Sequence, residues 1–283
     1  MITFDPSIGL KDYIKDELKR YGHKYNEKLP WEDNLLVVYS FQRKIPNAKP
    51  RIVIELPDIK VPPHLLKGYK GLKEKISKGL PLRGHLSKNT SKFKFHDLLL
   101  NYWNIHHFHL SVEKDSNGYF ERTGFILFGI VFDNAIIFID ILNHPTAQNG
   151  GWYNIELIEK IHEYIPEVIS KFRSKHVTGH TLTSLERSTL HKKHANYAMK
   201  LSDGSTYHFM GVMSSGDSFF DTHKLMHLKW TIDNFKIYIE NENQKIKLAL
   251  NEPHENIELT VSIDEDKPFI YSPLHKTAIN FVS

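Results

Sequence analysis

The sequence predicts an α+β protein, with helices packed on an antiparallel sheet and the chain arranged in two lobes. Three observations carry that expectation. Amphipathic helical segments are interleaved with short β-rich runs, without the strict strand–helix alternation of a parallel α/β fold. Residues 125–144 read as a hairpin almost without polar residues, which suits strands covered on both faces. The chain of 283 residues is 40% hydrophobic and 25% charged, a soluble composition with room for one large domain or two ordinary ones.

In chain order, residues 7–21 predict an amphipathic helix with Ser7 as its cap and Gly22 beyond its end. Leu35–Phe41 and Arg51–Leu56 predict strands joined by a long hairpin loop. A second helix is expected from His64 to Lys78, and a short helix or turn from Asp97 to Trp103. Three strands follow, at 105–112, 125–132 and 135–144, the last two joined by an Asp133-Asn134 turn. Pairing Phe132 with Ala135 places Leu127 opposite Asp140. The broad apolar face from Trp152 to Lys175 predicts a helix that Pro166 kinks or splits. Beyond it come a short helix at 183–195, a hairpin at 196–211 turned by Asp203-Gly204, a helix at 220–240, and strands near 245–250, 257–263 and 269–271. The expected division is a catalytic domain over 1–180 and a β-rich C-terminal domain over 181–283.

The charge is uneven. Net charge is only +4, but Lys67, Lys70, Lys73, Lys75, Lys78, Arg83, Lys88, Lys92 and Lys94 are opposed within that segment by Glu74 alone. Each such side chain can displace counterions from a phosphate, so the segment 67–94 predicts contact with RNA or single-stranded nucleic acid. No run of about 18 apolar residues is present, so no membrane partner is expected. The N-terminus lacks the apolar core and cleavage site of a signal peptide, and a cytoplasmic location is the simplest reading. With no cysteine, disulfides and cysteine-ligated metals are excluded.

The chemistry concentrates in 105–144. Three histidines stand within four residues, at 106, 107 and 109, and alternation puts His107 and His109 on one face of their strand. Asp140 is the lone carboxylate of the most apolar strand and needs a partner if buried. A carboxylate on one ring nitrogen of a histidine fixes its tautomer and readies the other nitrogen for acid–base work. His107 and His109 are therefore the expected acid–base pair, with Asp140 orienting them, Arg122 stabilising charge and His144 alongside. No cofactor is expected. A metal is the alternative, either on the same face or at His223 and His227, four residues apart, where the glutamate of a His-Glu-x-x-His helix is missing. Arg187 and His194 fit the loose Arg–His spacing of all-helical HEPN ribonucleases, but flanking strands contradict that fold.

The lysine-rich segment LLKGYKGLKEKISKG, the strand HHFHLS and the apolar hairpin ending DILNH together resemble the RelE-type messenger-RNA-cleaving toxins. The resemblance covers under a third of the chain and rests on order and hydropathy. It implies helices followed by an antiparallel sheet, metal-free RNA cleavage from the sheet face, and a protein inhibitor. Of that family's arginines only Arg122 has a counterpart, so histidines would supply the acid–base groups. The function expected is a metal-independent endoribonuclease, a toxin or phage-defence effector. The alternatives are a non-catalytic nucleic-acid- or partner-binding protein and a metal-dependent hydrolase.

Overall fold

The computed structural model describes residues 2–93, 95–145, 151–252, 256–264 and 266–279. The class is α+β, as expected from the interleaved patterns. The chain divides into two compact units, Met1–Tyr39 with Asp221–Ser283, and Ser40–Phe220. Residue 180, where the sequence reading places a boundary, falls inside the second of these.

The first unit opens with β1 (Ile2–Phe4) and α1 (Pro6–Arg20), the latter capped by the Asp5 carboxylate, which accepts from Ser7 N at 2.9 Å. The helix α2 (Trp31–Lys44) runs across the division between units. It corrects the strand expected at Leu35–Phe41. Its β-branched and aromatic residues mislead, but burial falls on Leu35, Val38, Tyr39 and Phe41, and acidic Glu32 and Asp33 occupy the first turn.

The second unit is built on a four-stranded sheet. Its elements in order are β2 (Ile52–Glu55), α3 (Leu66–Ser77), α4 (Leu98–Trp103), β3 (His106–His109), β4 (Phe125–Val131), β5 (Ala135–Asn143) and α5 (Glu156–Tyr164). They continue with β6 (Arg173–Ser174), α6 (Ser184–Lys192), β7 (Ala198–Lys200) and β8 (Thr206–His208), the three strands forming a small separate sheet. The strand order in the main sheet is β2-β5-β4-β3, antiparallel except for the parallel pair β2 and β5. Helix α5 ends at Tyr164, and Pro166 opens a 3-10 turn, so Pro166 ends the long helix expected there.

The sheet is covered on both sides. On one face Phe108, Leu127, Ile136, Phe138 and Ile141 pack with Tyr69, Leu72 and Ile76 of α3. Here α3 approaches so closely that a Cβ on Gly68 would stand 1.6 Å from the Leu110 carbonyl oxygen. On the other face Ile126, Phe128, Ile130, Ile137 and Ile139 pack with Trp103 of α4 and with Leu157, Ile158 and Ile161 of α5.

The remaining elements belong to the first unit apart from the start of α7 (Phe219–Asn241). They are α8 (Asn243–Ala249), β9 (Ile257–Asp264), β10 (Lys267–Ser272) and β11 (Thr277–Ile279). A sheet of order β1-β9-β10-β11 results, in which β1 pairs parallel to β9. Residues 243–249 are helical where a strand was expected near 245–250.

Candidate active site

The hairpin turn behaves as its sequence predicts, with Phe132 N donating to the Ala135 carbonyl at 2.8 Å. Ile137 pairs with Ile130, and Phe138 with Gly129. The register then slips, and Asp140 faces Phe128 where an unbroken ladder would give Leu127. The extra residue is Ile139, a β-bulge. Its consequence is a change of face. Without the bulge Asp140 would point with Phe138 toward α3; with it, Asp140 shares the face of Phe128.

Strand β3 pairs with β4, placing His107 beside Phe128 and His109 beside Ile126. His107, Phe128 and Asp140 thus form one row across three strands. The strand between them holds His107 and Asp140 two spacings apart, about 9–10 Å. Asp140 therefore does not orient a histidine. Its Oδ2 accepts from Lys160 Nζ of α5 at 2.6 Å, and its Oδ1 accepts from Ile141 N at 2.8 Å. It is partly buried, with 16% side-chain exposure.

The carboxylate that meets His107 is Asp97, which the sequence reading treated only as the start of a short helix. Asp97 caps α4, its Oδ1 accepting from Leu100 N at 3.1 Å. Its Oδ2 stands 3.7 Å from His107 Nδ1. Helix α4 ends at Asn104, which takes the left-handed conformation (φ 55°) and feeds directly into β3. One six-residue helix thus carries the carboxylate at its start and delivers the histidine strand at its end. An aspartate immediately before Leu-Leu-Leu is a helix-cap signal, and that signal could have found it.

A cavity of about 260 Å³ gathers the remaining residues. His107, His109, Arg122 and His144 line it, with Asp97, Trp152 and Tyr153, and with Ser87, Asn89 and Phe95 from the end of the basic segment. His107 and His109 lie deep, at 7% and 5% exposure, while Arg122 is exposed and bonded to no described residue. The Nδ1 atoms of both histidines are buried without a hydrogen-bond partner among the described residues, so a ligand reaches the rings from the Nε2 side. The His144 Nδ1–H donates to the Pro145 carbonyl at 3.0 Å, leaving Nε2 as an acceptor. The His109 and His144 rings are 6.2 Å apart, and Trp152 sits 4.9 Å from His107 and 5.3 Å from His144.

Burial sets the proton affinities. His109 is pushed down to about 4 by desolvation, with His107, His144 and Arg122 adding to the effect. His107 is lowered by desolvation too, but Asp97 pulls it the other way. Both rings are neutral at pH 7 in the free protein, and His107 is the one whose protonated form has a counter-charge. Behind β3, His85 donates from Nδ1 to the His109 carbonyl at 2.8 Å and accepts from Lys75 Nζ at 3.2 Å, which pins the end of the strand.

The basic segment is less uniform than its sequence. Lys73 pairs with Glu55, Lys78 with Glu74 and Lys88 with Asp115, Arg83 donates to the Tyr119 hydroxyl, and Lys75 is engaged by His85. Lys67, Lys70 and Lys92 are exposed and pair with no described residue, and Lys94 lies outside the described residues. Helix α3 covers the sheet face opposite His107 and His109, so its lysines do not surround the cavity. The stretch from Ser87 to Phe95 does reach it.

His223 and His227 stand one turn apart on the exposed side of α7. Among the described residues no three histidine or carboxylate side chains converge as metal ligands would. Arg187 and His191 of α6 are buried. Arg187 donates to the Tyr153 carbonyl at 2.8 Å, and His191 stacks on Tyr102 with centroids 3.6 Å apart. Arg187 is thus a core feature, while His194, the histidine of the expected Arg–His spacing, lies beyond the end of α6.

No family model, no curated protein and no solved structure matches this chain. No helix is long and apolar enough to cross a membrane among the described residues.

Proposed function

We propose that the second unit is a metal-independent endoribonuclease acting by histidine acid–base catalysis. The observation that carries the reading is the convergence of His107, His109, His144, Arg122 and Asp97 on one cavity. Cleavage of an RNA strand by its own 2′-hydroxyl needs a base, an acid for the 5′-oxygen and a cation for the phosphorane. His107 is suited to be the base, because Asp97 stabilises the imidazolium it becomes. His109, once protonated, is a strong acid, since its buried ring holds a proton weakly. Arg122 at the rim supplies a guanidinium, bonded to no described residue, for the equatorial oxygens. In the reaction the 2′-oxygen loses its proton to His107 and bonds to phosphorus. The bond from phosphorus to the 5′-oxygen breaks, and that oxygen takes the proton of His109. The products are a 2′,3′-cyclic phosphate and a 5′-hydroxyl.

The test is cleavage of single-stranded RNA by the full chain in excess EDTA, with the ends identified. Cyclic phosphate ends and no cleavage of a 2′-deoxy control are expected. Activity that disappears in EDTA and returns with Zn²⁺ or Mn²⁺ supports the metal-dependent hydrolase instead. Binding of RNA without cleavage under any of these conditions supports the non-catalytic binding protein.

A further inference from the structure

The geometry points to a nucleobase-reading subsite within the cavity, in which an unpaired base stacks on Trp152 and its polar edge meets the amide of Asn89. This inference deepens the ribonuclease reading and rests on it for the choice of RNA as ligand.

Depth supplies the first argument. His107 and His109 are 7% and 5% exposed, at the floor of the cavity, so a phosphodiester reaches them only if its nucleotide leaves the helical stack. Size is the second. At about 260 Å³ the cavity falls below the roughly 300–1,000 Å³ of sites for drug-sized ligands, so it has room for a single base and not for a longer stretch of chain. The walls are the third. The half-buried Trp152 meets His107 and His144 edge to face, with interplanar angles of 61° and 78°, and is placed beside the reacting groups. One side of Trp152 packs against the core, and every base has a π face that the uncovered part of an indole can stack upon. Polarity is the last. The side-chain amide of Asn89 bonds to no described residue and lines the same space, offering one donor and one acceptor in a plane. A planar amide discriminates between bases, which a stacking wall does not.

Binding is measured with short 2′-O-methyl RNA strands, which cannot be cleaved, so the result is independent of catalysis. Single strands are expected to bind at least about 10-fold more tightly than the same strand in a duplex. Trp152→Leu, which keeps an apolar side chain in place, should weaken binding about 5- to 150-fold, the span of one base–aromatic stack. Trp152→Phe should restore most of it and serves as the folding control. Among the four homopolymers the wild type should show a preference that Asn89→Ala flattens. Equal binding of duplex and single strand, or unchanged affinity in Trp152→Leu, overturns the subsite. A wild type with no base preference, or a preference that survives Asn89→Ala, overturns the assignment of Asn89 as reader. If no RNA is cleaved but these binding results hold, the ribonuclease reading falls and the subsite stands. If duplex RNA is cleaved as fast as single strands, the reverse follows.

Discussion

His106 and its neighbours His107 and His109 occupy one short strand, are equally buried, and differ in what surrounds their rings. His106 points to the face covered by α3, and its Nε2 donates to the Arg43 carbonyl at 3.0 Å. His107 and His109 point to the other face, where α4 and the loops leave a cavity open. The proton affinity of His106 and of His109 is held down to about 4, by burial in both cases. A displaced proton affinity therefore does not distinguish the histidines that line the cavity from the one that does not. The two-residue alternation of a strand between two differently covered faces does.

The sharpest way to break this comparison is to remove each ring. His107→Ala or His109→Ala is expected to lower the rate of RNA cleavage about 10²- to 10⁴-fold, the usual contribution of a positioned acid or base. His106→Ala should leave the rate within a few-fold while lowering stability by about 1–3 kcal/mol through the lost carbonyl partner. Single-turnover cleavage and denaturant melts on the three variants measure both. A rate loss in His106→Ala equal to the others would make the whole strand structural.

Asp97→Asn sharpens the role of the second carboxylate, because asparagine still caps a helix but carries no charge. The rate should fall about 10²-fold, at the low end for an acid–base group, with little change in melting temperature. Unchanged activity would reduce Asp97 to a helix cap.

The pH profile makes a smaller test. The base must be unprotonated, so activity rises as pH climbs through its pKa; the acid must be protonated, so activity falls as pH climbs through its own. Both histidines lie below the ordinary value of 6.5, which moves both limbs downward. The maximum of kcat/KM for the free protein is expected on the acid side of pH 6.5. A maximum above pH 7.5 would contradict the assignment.

Salt dependence and Asp140 give the smallest effects. If Lys67, Lys70, Lys92 and Arg122 are the side chains free for phosphate, the slope of log affinity on log salt for single-stranded RNA should be about −2 to −3. A slope near −6 would mean that the paired lysines exchange their partners for RNA. Asp140→Asn should cost about 1 kcal/mol or less by loosening Lys160, with no loss of rate.

Much of the scaffold is legible along the chain. The apolar runs at 125–131 and 135–143, the Asp133-Asn134 turn, the helical period of α1 and the stop at Pro166 are local features, set by backbone sterics and side-chain periodicity, although the cap of α1 is Asp5 and not the expected Ser7. The side-chain alternation of a strand also paired His107 with His109 correctly. Where local preference conflicts with burial, the reading fails. Leu35–Phe41 has the composition of a strand but folds as a helix, because its buried positions recur at three and four.

The partner of His107 was decided by tertiary structure alone. Asp140 and Asp97 are both carboxylates close to the histidine strand in sequence, and nothing local ranks them. A single bulge at Ile139 sets the face of Asp140, the intervening strand β4 keeps it from His107, and Lys160 of α5 holds it. The length of α4 and the left-handed turn at Asn104 bring Asp97 back over the strand that follows. The chain by itself determined which residues are chemically capable: the histidines, Arg122 and the aspartates. Their convergence depends on register, bulges and helix ends, whose energies are settled only when distant segments pack together.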